Sequence, residues 1–295
     1  MSAYLDRLAA ATARVGAPLC IGIDPEPSAL PERFTGSVAA IDAWVDLLIR
    51  ATADSAAAYK VNLAFFEALG SDGIAVAEKI RARIPAGTPL IIDVKRGDIG
   101  STVTAQARAL YDGLGADAVT ANPYLGIGAL DPLLSRERGF TYLLCRTSNP
   151  EAAEFQELRV GGTDLVPEEP LYLRVARFSA MRPEARAGRI GLVVGATAGD
   201  ALRLVRATAP GLPFLVPGVG AQGGDVTAVL AAGSVATGVA AAAPGGGLAI
   251  NVGRGITDAA RVAADPESAL HVAAEEWRAR LAILPRDGLP PAANA

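Results

Sequence analysis

One pattern of hydrophobic and polar positions repeats along most of this chain. A short apolar run ends at a polar, glycine or proline break, and a segment with apolar residues every three or four positions follows. Short continuous apolar runs are typical of strands buried on both faces, and the longer period is typical of amphipathic helices. Eight strands are predicted in this way, at 19–25, 59–63, 90–94, 116–123, 140–146, 190–197, 213–217 and 248–255.

Helical segments separate most of these strands and give the chain its predicted architecture. They are predicted at 41–58, 65–83, 102–112, 171–181, 200–208, 226–232 and 257–284, with a loop and a short helix at 124–138. Eight such units over about 250 residues is the size of a TIM barrel, whereas a doubly wound sheet alternates similarly with fewer strands. We therefore predict an α/β fold, a single (β/α)8 barrel over 1–284, with an irregular insertion near 151–169 and a disordered tail at 285–295.

The strand at 90–94 leads directly into a cluster of charged residues. Asp93 and Lys95 are two positions apart, so alternation along a strand points both side chains the same way. Asp98 lies where the next helix is predicted to begin, and Thr102 lies one turn further on. The carboxyl ends of strands are where α/β proteins place their chemistry, although such charges often only cap a helix or form a surface ion pair.

Lysine usage favours the chemical interpretation. Only three of the 27 basic residues are lysines, namely Lys60, Lys79 and Lys95. An arginine cannot release its proton at working pH, whereas a lysine can, and its ammonium is compact. Lys79 lies in a polar helical segment and is predicted to be on the surface. Lys60 and Lys95 lie in strand-like segments and are therefore candidate functional residues.

Composition excludes several classes of function. The 295 residues are 51% hydrophobic and 20% charged, with a net charge of −4 and thus no basic footprint for nucleic acid. Neither a signal peptide nor an apolar run long enough for a membrane helix is evident. Cys20 and Cys145 are far apart, which predicts buried, reduced thiols in a cytoplasmic protein. A single histidine, His271, excludes His-based triads and multi-His metal sites.

Two glycine-rich loops near the end of the chain predict a phosphate site. The sequence at 218–223 matches the G-x-G-x-x-G dinucleotide fingerprint, but it follows the seventh strand and no acid occurs about 20 residues later. In a TIM barrel, the loops after strands seven and eight commonly bind phosphate. Gly253 and Arg254 follow the eighth strand, and an arginine can grip a phosphate with two hydrogen bonds. Ordinary glycine-rich turns remain the alternative for either loop alone.

At this point the chain resembles a known family. The run Asp93-x-Lys95-x-x-Asp98-Ile99-Gly100-x-Thr102 is similar to the signature of the orotidine 5′-phosphate decarboxylases, in the longer bacterial branch of that family. The bare Asp-x-Lys-x-x-Asp pattern also occurs in related barrel enzymes acting on sugar phosphates. Further segments match in the family's order, at 22–25, 59–62, 122–124, 147–148, 217–224 and 253–256.

The resemblance implies decarboxylation of orotidine 5′-phosphate to UMP, the last step of de novo pyrimidine synthesis, without metal or organic cofactor. It implies a homodimer in which Asp98 and Thr102 reach the partner's site, while Lys95 gives its proton to C6 of the pyrimidine. The other residues that it implies are Lys60 and Asp93 in the charged tetrad, Asp24 and Lys60 at the ribose, Ser148 at the pyrimidine, and Pro217, Gln222, Gly253 and Arg254 at the phosphate end.

Two alternatives remain open. A metal-dependent decarboxylase or aldolase acting on sugar phosphates would carry the same short pattern, and a catalytically silent binder of nucleotide phosphates could keep the phosphate loops. The chain also departs from the family in two places. The segment 225–247 is long and rich in alanine and glycine, and the pair Val252-Gly253 stands where a small polar pair is expected.

Overall fold

Eight parallel strands close into a barrel in chain order, with the last strand paired to the first. The computed structural model describes residues 2–162, 168–220 and 223–283, so Gln222 and the predicted tail at 285–295 lie outside the described residues. The predicted TIM barrel is confirmed. Its strands are β1 Leu19–Ile23, β2 Ala58–Asn62, β3 Leu90–Arg96, β4 Ala118–Ala121, β5 Phe140–Arg146, β6 Ile190–Val194, β7 Phe214–Val216 and β8 Ala249–Val252.

Helices surround the barrel. The longer ones are α1 Ala3–Val15, α2 Val38–Thr52, α3 Gly70–Arg83, α4 Gly100–Ala107, α5 Leu171–Met181, α6 Gly199–Thr208, α7 Val226–Gly233 and α8 Pro266–Arg280. One-turn helices occupy Ala64–Glu67, Asp131–Leu134, Ala153–Gln156, Pro183–Arg186 and Arg254–Thr257. Within the stretch predicted as an irregular insertion, Arg159–Val160 and Glu169–Pro170 form a small antiparallel sheet.

Two helices differ from their predicted bounds for identifiable reasons. The helix predicted at 41–58 is α2, which begins after Ser37, whose side chain accepts a hydrogen bond from the Ala40 N–H. It ends early because the alanines that follow are the buried entry to β2, although their apolar character matches that of the helix. The helix predicted at 257–284 is interrupted, and α8 begins only where Asp265 caps the Glu267 and Ser268 N–H groups.

The barrel interior changes from apolar to charged along its axis. Near the amino ends of the strands, the inward side chains pack with Tyr4 of α1, whose hydroxyl lies 2.8 Å from that of Tyr142. Helix α1 therefore closes this end of the barrel. The inward residue of β2 is Ala58 near its amino end and Lys60 two positions further along. On β3 the corresponding residues are Ile91 and Asp93.

Two smaller predictions from the sequence are also confirmed, the buried free cysteines and the surface position of Lys79. Cys20 and Cys145 are buried free thiols, and burial raises the pKa of Cys20 to about 12. Lys79 is exposed, and its only ion-pair partner among the described residues is Asp42, at 4.0 Å. No helix in the described part of the chain is long and apolar enough to cross a membrane.

Candidate active site

A cavity of about 210 Å³ opens at the carboxyl ends of the barrel strands. A second hollow of about 320 Å³ adjoins it and shares Asp24, Asn62, Gly253 and Arg254 as wall residues. This is the end of the barrel where TIM-barrel enzymes carry their active sites. The walls of the first cavity are Asp24, Lys60, Asn62, Asp93, Ser148, Pro217, Gly218, Gly220, Asn251, Gly253 and Arg254.

Four charged side chains form an alternating row in this cavity and at its edge. Lys60 Nζ lies 3.8 Å from Asp24 Oδ1 and 3.2 Å from Asp93 Oδ2. Asp93 Oδ1 lies 2.7 Å from Lys95 Nζ. The row follows from the strand register. Gly22 of β1 pairs with Lys60, so Asp24, two positions after Gly22, lies near Lys60. Asn62, two positions after Lys60, pairs with Asp93, so Asp93 also lies near Lys60. Carboxylate and ammonium groups thus alternate from β1 to β3.

The row keeps its two central groups charged. Burial alone would lower the pKa of the Lys60 ammonium, but the Asp24 and Asp93 carboxylates outweigh it and raise that pKa above its ordinary value. Burial would likewise raise the pKa of Asp93, but Lys60 and Lys95 outweigh it and hold that pKa well below its usual range. The cavity therefore contains fixed charges of both signs.

Lys95 reaches Asp93 from an irregular stretch of backbone. Its φ is 47°, and it is the only non-glycine residue with positive φ in the described part of the chain. The β3–β4 register shifts between Ile92 and Arg96, which marks a bulge there. Asp93 and Lys95 are paired as the alternation predicts. The Lys95 side chain is 48% exposed at the cavity edge and does not line the cavity.

The loop after β5 is fixed from several directions, and it presents Ser148 to the cavity. The Gln156 side chain accepts a hydrogen bond from the Thr147 N–H at 2.8 Å. On the other side, the Gly195 N–H donates to the carbonyl of Arg146 at 2.7 Å. A Cβ at Gly195 would lie 2.7 Å from Ser148 Cα, so only glycine allows the two strand ends to approach this closely.

The glycine-rich loops after β7 and β8 form the opposite wall, together with Pro217. A Cβ at Gly253 would lie 3.3 Å from Asp24 Oδ2, so glycine here leaves room for that carboxylate. The side chain of the exposed Arg254 forms no hydrogen bond or ion pair with any residue that the structure describes. Gln222, the remaining residue expected at this end, lies outside the described residues.

Asp98 and Thr102 lie away from the cavity of their own chain. Asp98 Oδ1 accepts a hydrogen bond from the Ile99 N–H at 2.8 Å and forms no ion pair within the described ranges. Helix α4 begins at Gly100 with Ile99 before it, so Asp98 does not cap the helix as its position suggested. Thr102 is exposed on α4. The chain by itself therefore assembles only Lys60, Asp93 and Lys95 of the expected tetrad.

Three polar residues at the site escape the sequence analysis. Asn62 and Asn251 line the cavity, and Thr120 Oγ1 lies 2.7 Å from Asp93 Oδ1. Each is a polar residue on the inward face of its strand. Counting two positions from Lys60 to Asn62, and from Asn251 to Gly253, gives a signal that could have identified the asparagines.

Metal-ligating side chains are not grouped in this part of the molecule. Across residues 2–162, 168–220 and 223–283, no group of three or more His, Cys, Asp or Glu residues is placed to hold a metal ion. At the cavity itself, both oxygens of Asp93 already contact ammonium groups.

The sequence of the chain matches one family of known proteins over most of its length. A sequence model described as "Orotidine 5'-phosphate decarboxylase / HUMPS family" matches residues 17–270. The chain belongs to this family. The match spans all eight barrel strands and every site residue named above.

Named members of the orotidine 5′-phosphate decarboxylase / HUMPS family resemble the chain over most of its length. The orotidine 5′-phosphate decarboxylase of Roseiflexus castenholzii is 42% identical over 93% of this chain and 96% of its own. The corresponding protein of Herpetosiphon aurantiacus is 43% identical over 78% of this chain and 84% of its own. The solved structure of Leishmania donovani OMP decarboxylase matches with a TM-score of 0.77 and 38% identity, over 95% of this chain and 98% of that one.

Proposed function

We propose that the chain decarboxylates orotidine 5′-phosphate to UMP, the last step of de novo pyrimidine synthesis, with Lys95 as the proton donor. Family membership and the names of the similar proteins support the decarboxylase activity. The observation that carries the proposal is the row Asp24, Lys60, Asp93 and Lys95 at the carboxyl end of the barrel. It supplies a fixed ammonium next to a fixed carboxylate, which is what the chemistry needs.

The reaction requires stabilisation of negative charge on a ring carbon. When carbon dioxide leaves, the bond between C6 and the carboxyl carbon breaks, and its electron pair remains on C6 without an adjacent group to delocalise it. A preorganised ammonium stabilises such charge effectively in a site from which water is excluded. The Lys95 N–H bond then breaks, its proton forms the new C6–H bond, and the neutral amine takes a proton from solvent.

Asp93 keeps Lys95 ready for this role. Their contact at 2.7 Å fixes the direction of the ammonium. Lys60 contacts the other oxygen of Asp93 and so neutralises part of the carboxylate charge. Asp93 thus positions the proton donor and is itself held in place from two sides.

The remaining residues would bind the rest of the nucleotide. Arg254 and the backbone around Pro217 and Gly253 suit the phosphate, and Gln222 would bridge the phosphate and the base. Asp24, Lys60 and Ser148 line the cavity. Asp24 and Lys60 would bind the ribose hydroxyls, and Ser148 would contact the pyrimidine edge. Binding energy from the phosphate, far from C6, would be used to close and order the site.

The proposal includes a homodimer in which each site is completed by the partner. Asp98 and Thr102 do not face the cavity of their own chain, and the Asp98 carboxylate forms no ion pair among the described residues. Exposed apolar side chains lie nearby. Ile99 is 64% exposed, and Tyr124, two residues after the Asn122 backbone that adjoins Gly97, is 78% exposed. A second copy covering this rim would bring Asp98 to the Lys95 of its neighbour and Thr102 to the ribose.

The sharpest rival is a metal-dependent enzyme acting on a sugar phosphate. In the metal-independent reaction, Lys60 and Lys95 supply the positive charge beside Asp93, and both ammonium groups contact that carboxylate. The deciding experiment follows the absorbance of orotidine 5′-phosphate with and without EDTA. We expect turnover that EDTA leaves unchanged.

Two other results of this assay would contradict the proposal. Turnover that collapses with the chelator and returns with a divalent metal would indicate the metal-dependent class. Tight binding of UMP without any absorbance change on adding orotidine 5′-phosphate would indicate a silent binder.

A further inference from the structure

Thr120 of β4 is buried beside the charged row, and its hydroxyl makes three hydrogen bonds. It accepts from the Val94 N–H at 3.0 Å and from the Lys95 N–H at 2.9 Å. It donates to Asp93 Oδ1 at 2.7 Å. One side chain of β4 thus contacts three consecutive residues of β3.

The chemistry of these groups fixes the direction of each bond. A threonine hydroxyl has one proton and two lone pairs. Backbone N–H groups can only donate, so the Val94 and Lys95 amides occupy both lone pairs. An ionised carboxylate can only accept, so the single hydroxyl proton points to Asp93. No capacity of the Thr120 hydroxyl is left unused.

These bonds are made where β3 leaves the regular ladder. Two successive N–H groups converge on one acceptor, which happens when the backbone departs from the extended conformation. Lys95 has its φ of 47° at this point, and a lysine disfavours that region. The hydroxyl of Thr120 satisfies the two amides there, because the register shift between Ile92 and Arg96 interrupts the ladder to β4.

We propose that Thr120 is a positioning residue for the decarboxylation, an inference that rests on the proposed function. It fixes the backbone from which Lys95 extends and the carboxylate oxygen that Lys95 contacts. Thr120 does not line the cavity, so it acts through Asp93 and Lys95 without touching the substrate. Its hydroxyl therefore links the position of the Lys95 ammonium to the position of the Asp93 carboxylate.

Two variants of Thr120 separate the hydroxyl from the shape of the side chain. Thr120→Val keeps the branched shape and removes the hydroxyl, and Thr120→Ser keeps the hydroxyl. We expect Thr120→Val to lower kcat by roughly 10- to 100-fold, as small misplacements of reacting groups do. UMP affinity should stay within about 3-fold, because the phosphate loops are untouched, and Thr120→Ser should recover most of the lost kcat.

Thr141→Val is the matched control. Thr141 is also a buried threonine, on the neighbouring strand β5, but its hydroxyl lies 3.1 Å from that of Tyr111, outside the cavity lining. We expect this variant to keep kcat close to that of the wild type. An equal loss of kcat in Thr141→Val, or in Thr120→Ser, would overturn the proposal by showing that packing alone is responsible.

A second measurement does not depend on turnover. Hydrogen exchange of the Val94 and Lys95 amides should be slow in the wild type and in Thr120→Ser, and much faster in Thr120→Val. The wild type could fail to decarboxylate orotidine 5′-phosphate while these amides behave as expected. That result would contradict the proposed function and would still support the three hydrogen bonds of the Thr120 hydroxyl. Unchanged exchange or unchanged kcat in Thr120→Val would overturn the positioning role.

Discussion

Lys60 and Asp93 form the buried ion pair at the centre of the cavity, and the pKa values of the two groups move apart. The lowered pKa of Asp93 stabilises the fold above about pH 4, and this contribution is lost as the pH falls through the folded-state pKa. The raised pKa of Lys60 stabilises the fold below about pH 10 and is lost as the pH rises through its folded-state value. Between these limits both groups stay charged.

Asp93→Asn tests this pair. Removing one charge of a buried pair leaves the other poorly compensated, so we expect the free energy of unfolding to fall by about 3–5 kcal/mol at pH 7. The deficit should be constant from about pH 5 to pH 9 and should shrink below about pH 4, where the unfolded wild type takes up a proton at Asp93. Denaturant unfolding at several pH values measures it.

The exposed pair of Asp46 with Arg50 provides the control for that experiment. Asp46→Asn should change the unfolding free energy by less than about 1 kcal/mol, because exposed ion pairs contribute little. A deficit in Asp93→Asn as small as this would contradict the buried, charge-paired state of Asp93.

At the level of single residues, the sequence predicted the charged side chains of the site but not Thr120, which holds two of them in place. Alternation along one strand predicted the contact of Asp93 with Lys95, although the structure makes that contact at a bulge where the Lys95 backbone is left-handed. Thr120 gave no signal of its own, since a β-branched residue in a buried strand is common. Its contact with Asp93 depends on the β3–β4 register and on the bulge at Lys95. Neither feature can be predicted from the sequence of a single strand.

Among the elements, the adjoining ends of β5 and β6 decide where Ser148 lies. Gly195 has ordinary extended backbone angles, φ −67° and ψ 138°, so its constraint is space and not conformation. Gly195→Ala would force the two strand ends apart, because a Cβ there lies within 3 Å of Ser148.

We expect Gly195→Ala to lower kcat/KM for orotidine 5′-phosphate by roughly 10- to 100-fold through this displacement. Steady-state kinetics measure the loss. Gly128→Ala is the matched control, because a Cβ at Gly128 meets nothing within 4 Å, and its kinetics should match those of the wild type. Unchanged kcat/KM in Gly195→Ala would mean that Ser148 does not need its observed position.

Element ends were the part of the fold that periodicity predicted least well. Four of the six residues that follow Thr52 are alanines, which suit a helix as well as a buried strand, so the end of the helix could not be read from hydrophobicity. The alanine- and glycine-rich stretch before β8 was equally uninformative. There, Gly245 and Gly246 adopt positive φ within a short turn at Pro244–Gly247, and such turns depend on tertiary contacts.

For the whole molecule, the barrel fold was predictable because it depends only on the number of strands. The complete site was not predictable in the same way, because one chain does not assemble it. One chain provides Lys60, Asp93 and Lys95, and the proposed dimer provides Asp98 from the partner. Mixing Lys95→Ala with Asp98→Ala chains tests this arrangement. In each hybrid dimer one site would be intact, so random exchange should restore about a quarter of wild-type activity.

The control mixture combines Lys95→Ala with Lys60→Ala. Both residues serve the barrel of their own chain, so every hybrid site lacks one of them and activity should not return. No recovery in the first mixture, after subunit exchange has been verified by mass, would place Asp98 within its own chain's site. Recovery in the control would mean that the Lys60 and Lys95 of one site come from different chains.

At position 95 the left-handed backbone and the proposed chemistry favour different residues. Glycine adopts that conformation freely, whereas any other residue carries a cost of about 1–2 kcal/mol there. At position 95, glycine would therefore relieve this cost, but it would also remove the ammonium that contacts Asp93 and, with it, the proposed proton donor. Backbone conformation alone favours glycine here, whereas the proposed reaction requires the lysine.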